Sequence, residues 1–140
     1  MSKTYRPWNP NQQYLFSPSV QDWLPEKDMV YVLLDVVSGF DITAITQKYE
    51  QEKRGFPPYH PRMMVSLLLY SYCRGIFSSR KIMQACRERI SFKVIVGDDI
   101  PNFRTISDFR KNNYELLQEF FKQIVLYCVQ LGMVSVGHIS

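Results

Sequence analysis

The residues best placed to do chemistry in this chain of 140 residues are cations. Between Lys53 and Lys111 there are twelve Lys/Arg against four Asp/Glu, a local charge of +8, whereas the rest of the chain has five basic and nine acidic residues, or −4. A cationic middle between anionic ends attracts polyanions, nucleic acid first among them. Two clusters stand out. In Arg74, Ser78, Ser79, Arg80 and Lys81, and then Arg87, hydroxyls and cations gather around one helical pattern. Such side chains contact base edges from a helix's first turn and phosphates from its flanks. In Arg104, Thr105, Ser107, Arg110 and Lys111 they gather at the start of another, where free backbone amides suit a phosphate. Arg62, early in the preceding helix, adds a further cation.

Catalytic chemistry has little to work with. Asp98 and Asp99 are the only adjacent carboxylates, and between Gly97 and Pro101 they read as turn residues. His60 precedes Pro61 and reads as a cap or loop residue, and His138 lies near the chain end. No phosphate loop, dinucleotide-binding glycine pattern or nucleophile elbow occurs, so a small-molecule substrate is not expected. Cys73, Cys86 and Cys128 are odd in number, far apart and set in apolar patterns, which suits small buried residues better than a disulfide framework or a zinc site. The longest apolar run, Met63 to Tyr70, falls well short of the roughly 20 residues that a bilayer needs. No secretory signal is visible at the start, so the expected compartment is the cytoplasm.

The elements that must position the cations are helical. Residues 1–25 read as an extended arm, with Pro7, Pro10, Pro18 and Pro25 among Trp8, Tyr14, Phe16 and Trp23, and rings of that size are expected to pack along a folded body. Residues 26–132 read as an all-α domain of about five helices. The first runs from Glu26 to Val37 with Met29, Val30, Leu33, Leu34 and Val37 on one face. The second follows an Asp41 cap and turns Ile42 and Ile45 inward. The third starts at His60-Pro61 and is apolar around most of its circumference, which makes it the central helix. The fourth starts at a Ser79 cap with Ile82, Met83, Cys86 and Ile90 as its stripe, and Ile90 to Val96 is either its end or a short extended piece. The fifth opens on a Thr105/Asp108 capping box and carries Phe109, Leu116, Leu117, Phe120, Ile124, Tyr127, Cys128 and Leu131, with a weak point at Asn112-Asn113. Residues 133–140, with Val134, Val136 and His138 alternating, read as the start of a strand. The third and fourth helices, joined by a short turn at Gly75, have helix-turn-helix grammar, and the same pattern also describes an ordinary helical hairpin with a wet basic face.

The chain also resembles a known family. Tyr5-Arg6-Pro7, Gln13-Tyr14-Leu15-Phe16, Asp22-Trp23-Leu24-Pro25, the His60-Pro61 helix, Tyr72-Cys73-Arg74-Gly75 with Ser78-Ser79-Arg80-Lys81-Ile82, and Phe103-Arg104-Thr105-Ile106-Ser107-Asp108-Phe109-Arg110 resemble the InsH-like N-terminal domain of bacterial insertion-sequence transposases of the DDE type. The resemblance implies a helical region that binds double-stranded DNA at the terminal inverted repeats, within the bacterial nucleoid. It also implies an RNase H-like catalytic domain beyond, whose three carboxylates hold magnesium. No aspartate follows Asp108 here, so the chain is expected to be the N-terminal piece, with no catalytic residue, metal ligand or cofactor of its own. Two other readings stay open: a helical protein-interaction module, such as a homodimer built on the arm and the last helix, and a regulator that occupies transposon ends without cutting them.

Overall fold

The computed structural model describes residues 3–8, 29–51 and 59–130. Seven helices lie among the described residues: α1 (Met29–Ser38), α2 (Thr43–Gln51), α3 (Pro61–Cys73), α4 (Ser79–Glu88), α5 (Ile90–Val96), α6 (Phe103–Asn112) and α7 (Tyr114–Gln130). The all-α class holds and the expected number of helices does not. The strand expected over 133–140 lies outside the described residues, as do Tyr14, Phe16 and Trp23 of the arm.

Helix α3 is the axis of the fold. Every residue from Met63 to Ser71 is buried, and α1, α5, α6 and α7 all pack against it. Its two buried hydroxyls return to their own helix: Ser66 Oγ donates to the Arg62 carbonyl at 2.8 Å and Ser71 Oγ to the Leu67 carbonyl at 2.7 Å, so neither is left unsatisfied in the core. Tyr70 meets Phe92 of α5 edge to face at 5.1 Å, and Phe40, after α1, stacks on Phe120 of α7 at 4.3 Å. No single helix among the described residues is long and apolar enough to cross a membrane. Helices α1 and α2 together have the length and composition, but they are bent by 72°. Val30, Leu33, Val37 and Ile45 on these helices are buried inside the protein.

The extra helices come from two breaks. At Arg89 the backbone is extended (φ −107°, ψ 129°), so α4 ends at Glu88 and Ile90 begins α5. The apolar stripe of α4 is therefore Ile82, Ala85 and Cys86, and Ile90 is 39% exposed rather than the stripe's last member. The second break falls at Asn113, which is buried and fully engaged. Its backbone N–H and its Nδ2 both donate to the Phe109 carbonyl, at 3.1 and 2.9 Å. Lys48 Nζ, from α2, closes the joint by donating to the Asn112 carbonyl at 2.6 Å and to Asn113 Oδ1 at 3.3 Å. What reads as one long helix is thus two, with Phe109 buried on α6 and Leu117, Phe120, Ile124 and Cys128 buried on α7.

The described part of the arm is tied down. Trp8 Nε1 donates to the Ile95 carbonyl at 2.6 Å, and its ring lies 5.2 Å from His60. Tyr5 packs between Tyr49 and His60, and Arg6 pairs with Asp99 at 3.2 Å while lying over the Tyr59 ring.

Candidate nucleic-acid interface

Ser78, Arg80 and Lys81 sit at the start of α4, and Asn102, Phe103 and Arg104 at the start of α6; α4 packs against α5 and α6. The backbone of Ser78 is extended (φ −69°, ψ 131°) and its Oγ accepts from the Lys81 N–H, so Ser78 is the N-cap and the expected Ser79 cap is corrected. The reason is that Ser79 Oγ already accepts from Arg110 Nη2 at 2.8 Å. On α6 the expected Thr105/Asp108 capping box is likewise replaced, here by Asn102, whose Oδ1 accepts from the Arg104 N–H at 2.9 Å. A cap directly after Pro101 starts the helix three residues earlier and leaves Thr105 and Asp108 inside it, with Thr105 half-buried and Asp108 exposed. Asn is a strong capping type, and its place after a proline was the signal available in the sequence.

The candidate cations divide into two groups. Arg62 and Arg110 hold the protein together. Arg62 Nη1 donates to the Val37 and Phe40 carbonyls at 2.6 and 3.0 Å, which ties the start of α3 to the end of α1 and the turn after it. Arg110 donates to the Phe77 carbonyl and to Ser79 Oγ, and it also engages the Tyr72 hydroxyl, so α6 is fastened to the turn between α3 and α4. Burial nonetheless keeps the Tyr72 pKa above its ordinary value, with the Arg110 charge opposing the rise.

Arg74, Arg80, Lys81, Arg87, Arg104 and Lys111 are exposed, and none is in an ion pair among the described residues. Arg80 lies 3.9 Å over the Phe103 ring and Arg104 lies 5.7 Å from the same ring, so an α6 aromatic brings two guanidinium groups from different helices together. A guanidinium held by its face keeps its N–H edge free for an anion. Ser107 is exposed further along α6, and Arg87 sits near the far end of α4 beside Met83.

The other titratable groups serve structure. His60 Nδ1 accepts from the Arg62 N–H at 3.1 Å and caps α3; burial, then the Arg62 charge, lower its pKa. Asp41 caps α2 through Thr43, and these hydrogen bonds lower its pKa. All three cysteines are free, and burial pushes the Cys73 and Cys86 thiols up to about 12. Asp98 is exposed and Asp99 is paired with Arg6. Among the described residues no three His, Cys, Asp or Glu side chains converge as a metal site would require.

With this geometry in hand, comparison with protein families gives a match to the family described as Transposase domain (DUF772) over residues 18–112. The chain belongs to that family. The matched stretch includes all of α1 to α6 and stops at the joint before α7. Comparisons with curated proteins and with solved structures return no match.

Proposed function

We propose that this chain binds double-stranded DNA at the terminal inverted repeats of a mobile element, as the N-terminal part of a DDE transposase. The observation that carries this reading is the gathering of Arg80 and Arg104 on one ring at the starts of two adjoining helices, with Lys81 beside Arg80 in sequence and none of the three in an ion pair among the described residues. Membership of a transposase family supports it. Ser78, Ser79 and Arg80 on α4, and Thr105 and Ser107 on α6, are then the candidates to face bases. Arg74, Lys81, Arg87, Arg104 and Lys111 hold phosphates, while Arg62 and Arg110 keep the helices in place. In this reading α3, the turn and α4 act as a helix-turn-helix, the protein resides with the nucleoid in the bacterial cytoplasm, and magnesium-dependent strand cutting belongs to carboxylates outside these 140 residues.

The test is salt dependence. Contact with about four to six phosphates gives a slope of log affinity against log salt of about −4 to −5. Affinity for duplex DNA that ignores salt overturns the reading. Loss of preference for element ends over random duplex in Arg80→Ala, with uniform weakening in Lys111→Ala, is the expected division between reading and holding. Metal-dependent nicking of plasmid by this chain, abolished in Asp98→Asn, overturns the assignment of cutting to another part of the protein.

A second reading, a helical protein-interaction module that forms a homodimer or docks a catalytic domain, draws on α7, where Leu126 is 57% exposed and Tyr127 is also open to solvent. Sedimentation of the chain alone separates the two.

A further inference from the structure

The turn between α3 and α4 holds an aromatic ring that the fold does not use to fill its core. Phe77 is 61% exposed, more than any other large hydrophobic residue among the described ones. An exposed phenylalanine in a slack loop is unremarked on most proteins, but this one is fixed at both ends. Its carbonyl accepts from the Arg110 guanidinium, 33 residues further along the chain. One face of its ring lies against Tyr72, with centroids 5.8 Å apart and an interplanar angle of 25°. Tyr72 is in turn backed edge-on by Phe121 of α7 at 5.8 Å. Phe77 is thus open to solvent on a ring that is itself backed by another, with little conformational freedom left to lose on binding.

The charge around it says what the face would meet. Arg74 precedes the turn, Ser78 and Ser79 follow it, and Arg80 and Lys81 come next; no acidic residue occurs anywhere from 53 to 87. An apolar plane ringed by cations and hydroxyls fits a nucleobase stacked on the plane, with its flanking phosphates on the cations. An acidic peptide fits the charge but gives no reason for a flat stacked ring.

We propose that Phe77 is a stacking post for a nucleobase drawn out of the DNA helix, with Arg74 and Lys81 holding the backbone on either side. This deepens the DNA-binding reading above and rests on it. A base that is already unpaired is cheaper to draw out, so the post favours DNA with a local defect over a perfect duplex.

The experiment uses the whole chain and two mixed-sequence duplexes of equal length, one fully paired and one with a single unpaired adenine, titrated at several salt concentrations. The expected result is about tenfold tighter binding to the duplex with the unpaired base. Phe77→Leu keeps an apolar side chain on Tyr72 but offers no aromatic face, so it abolishes the preference while leaving the affinity for paired duplex and the salt slope unchanged. Phe77→Trp retains the preference. Circular dichroism melting of each variant, matched to the parent protein, confirms that the turn is intact. The proposal is overturned if the parent protein binds both duplexes alike, or if Phe77→Leu keeps the preference. A change in self-association on Phe77→Leu, with no change in preference, overturns it in favour of a protein contact. Absence of salt-sensitive binding to either duplex is a different failure, because it removes the DNA reading itself.

Discussion

Helices α3 and α4 are separated by one short turn and built on opposite plans. Around α3 the interior closes on every side, and its only cation, Arg62, is turned back to the carbonyls after α1. Around α4 only Ile82, Ala85 and Cys86 are buried, and Arg80, Lys81 and Arg87 face solvent. Two helices of similar length in one small domain therefore answer different demands. The chemistry of α3 is spent on holding α1, α5, α6 and α7 in position, and that of α4 is left facing solvent. An arginine's type alone does not say which demand it serves: Arg62 and Arg80 are each near a helix start, and only the surroundings separate them.

This contrast can be broken most forcefully in α3. Leu68→Ala, at a fully buried position, is expected to cost about 2–5 kcal/mol of stability. Lys81→Ala on α4 stays within about 0.5 kcal/mol, and chemical denaturation of the two variants measures the difference. Similar losses would show that α4 carries the fold as much as α3 does. Arg110→Ala tests whether this cation sides with α3: losing its bonds to Phe77 and Ser79 should cost about 1–3 kcal/mol. An Arg110→Ala protein that melts like the parent but binds DNA poorly would move Arg110 to the other group. Trp8→Phe keeps the ring near His60 and removes the donor to the Ile95 carbonyl, for an expected loss of about 0.5–1.5 kcal/mol.

The smallest effect is a pH dependence. His60 has a folded pKa below its ordinary 6.5, so between the two values the unfolded chain binds the extra proton. Its contribution to stability is complete above 6.5 and is lost as pH falls below it. The urea midpoint should therefore decline between about pH 7 and pH 5, and less steeply in His60→Asn, which keeps an acceptor for the Arg62 N–H without the titration. Equal slopes for the two proteins would remove His60 as the source.

Much of this arrangement is legible in the residues. The apolar circumference from Met63 to Tyr70 marks α3 as central, and the His60-Pro61 start is where the helix begins. Asp41 caps α2 as its type suggests. The cap errors arise because neighbouring capping residues compete for the same backbone groups, and in α4 a distant side chain decides the winner. Ser79 loses the cap of α4 to Ser78 because Arg110 reaches it from α6. Thr105 loses the cap of α6 to Asn102, which stands earlier in the chain. Periodicity carries straight across Arg89 and Asn113, because apolar spacing survives a break in the backbone. At the candidate interface the basic residue types were visible, but not the division of labour among them. Nor was the place of Phe103 beneath the Arg80 guanidinium.

The joint at Asn113 has a consequence for how the chain tolerates insertions and deletions. Each added residue turns the following part of an α-helix by about 100° and moves it about 1.5 Å along its axis. Within α7 a single insertion ahead of Leu117 would carry Phe120, Ile124 and Cys128 off the side that they bury. Beside Asn112 the same insertion falls where the helix has already ended, and its main cost is the grip of Lys48 on the Asn112 carbonyl and the Asn113 side chain. Length variation in this region is therefore tolerated at one hinge and excluded a single turn later.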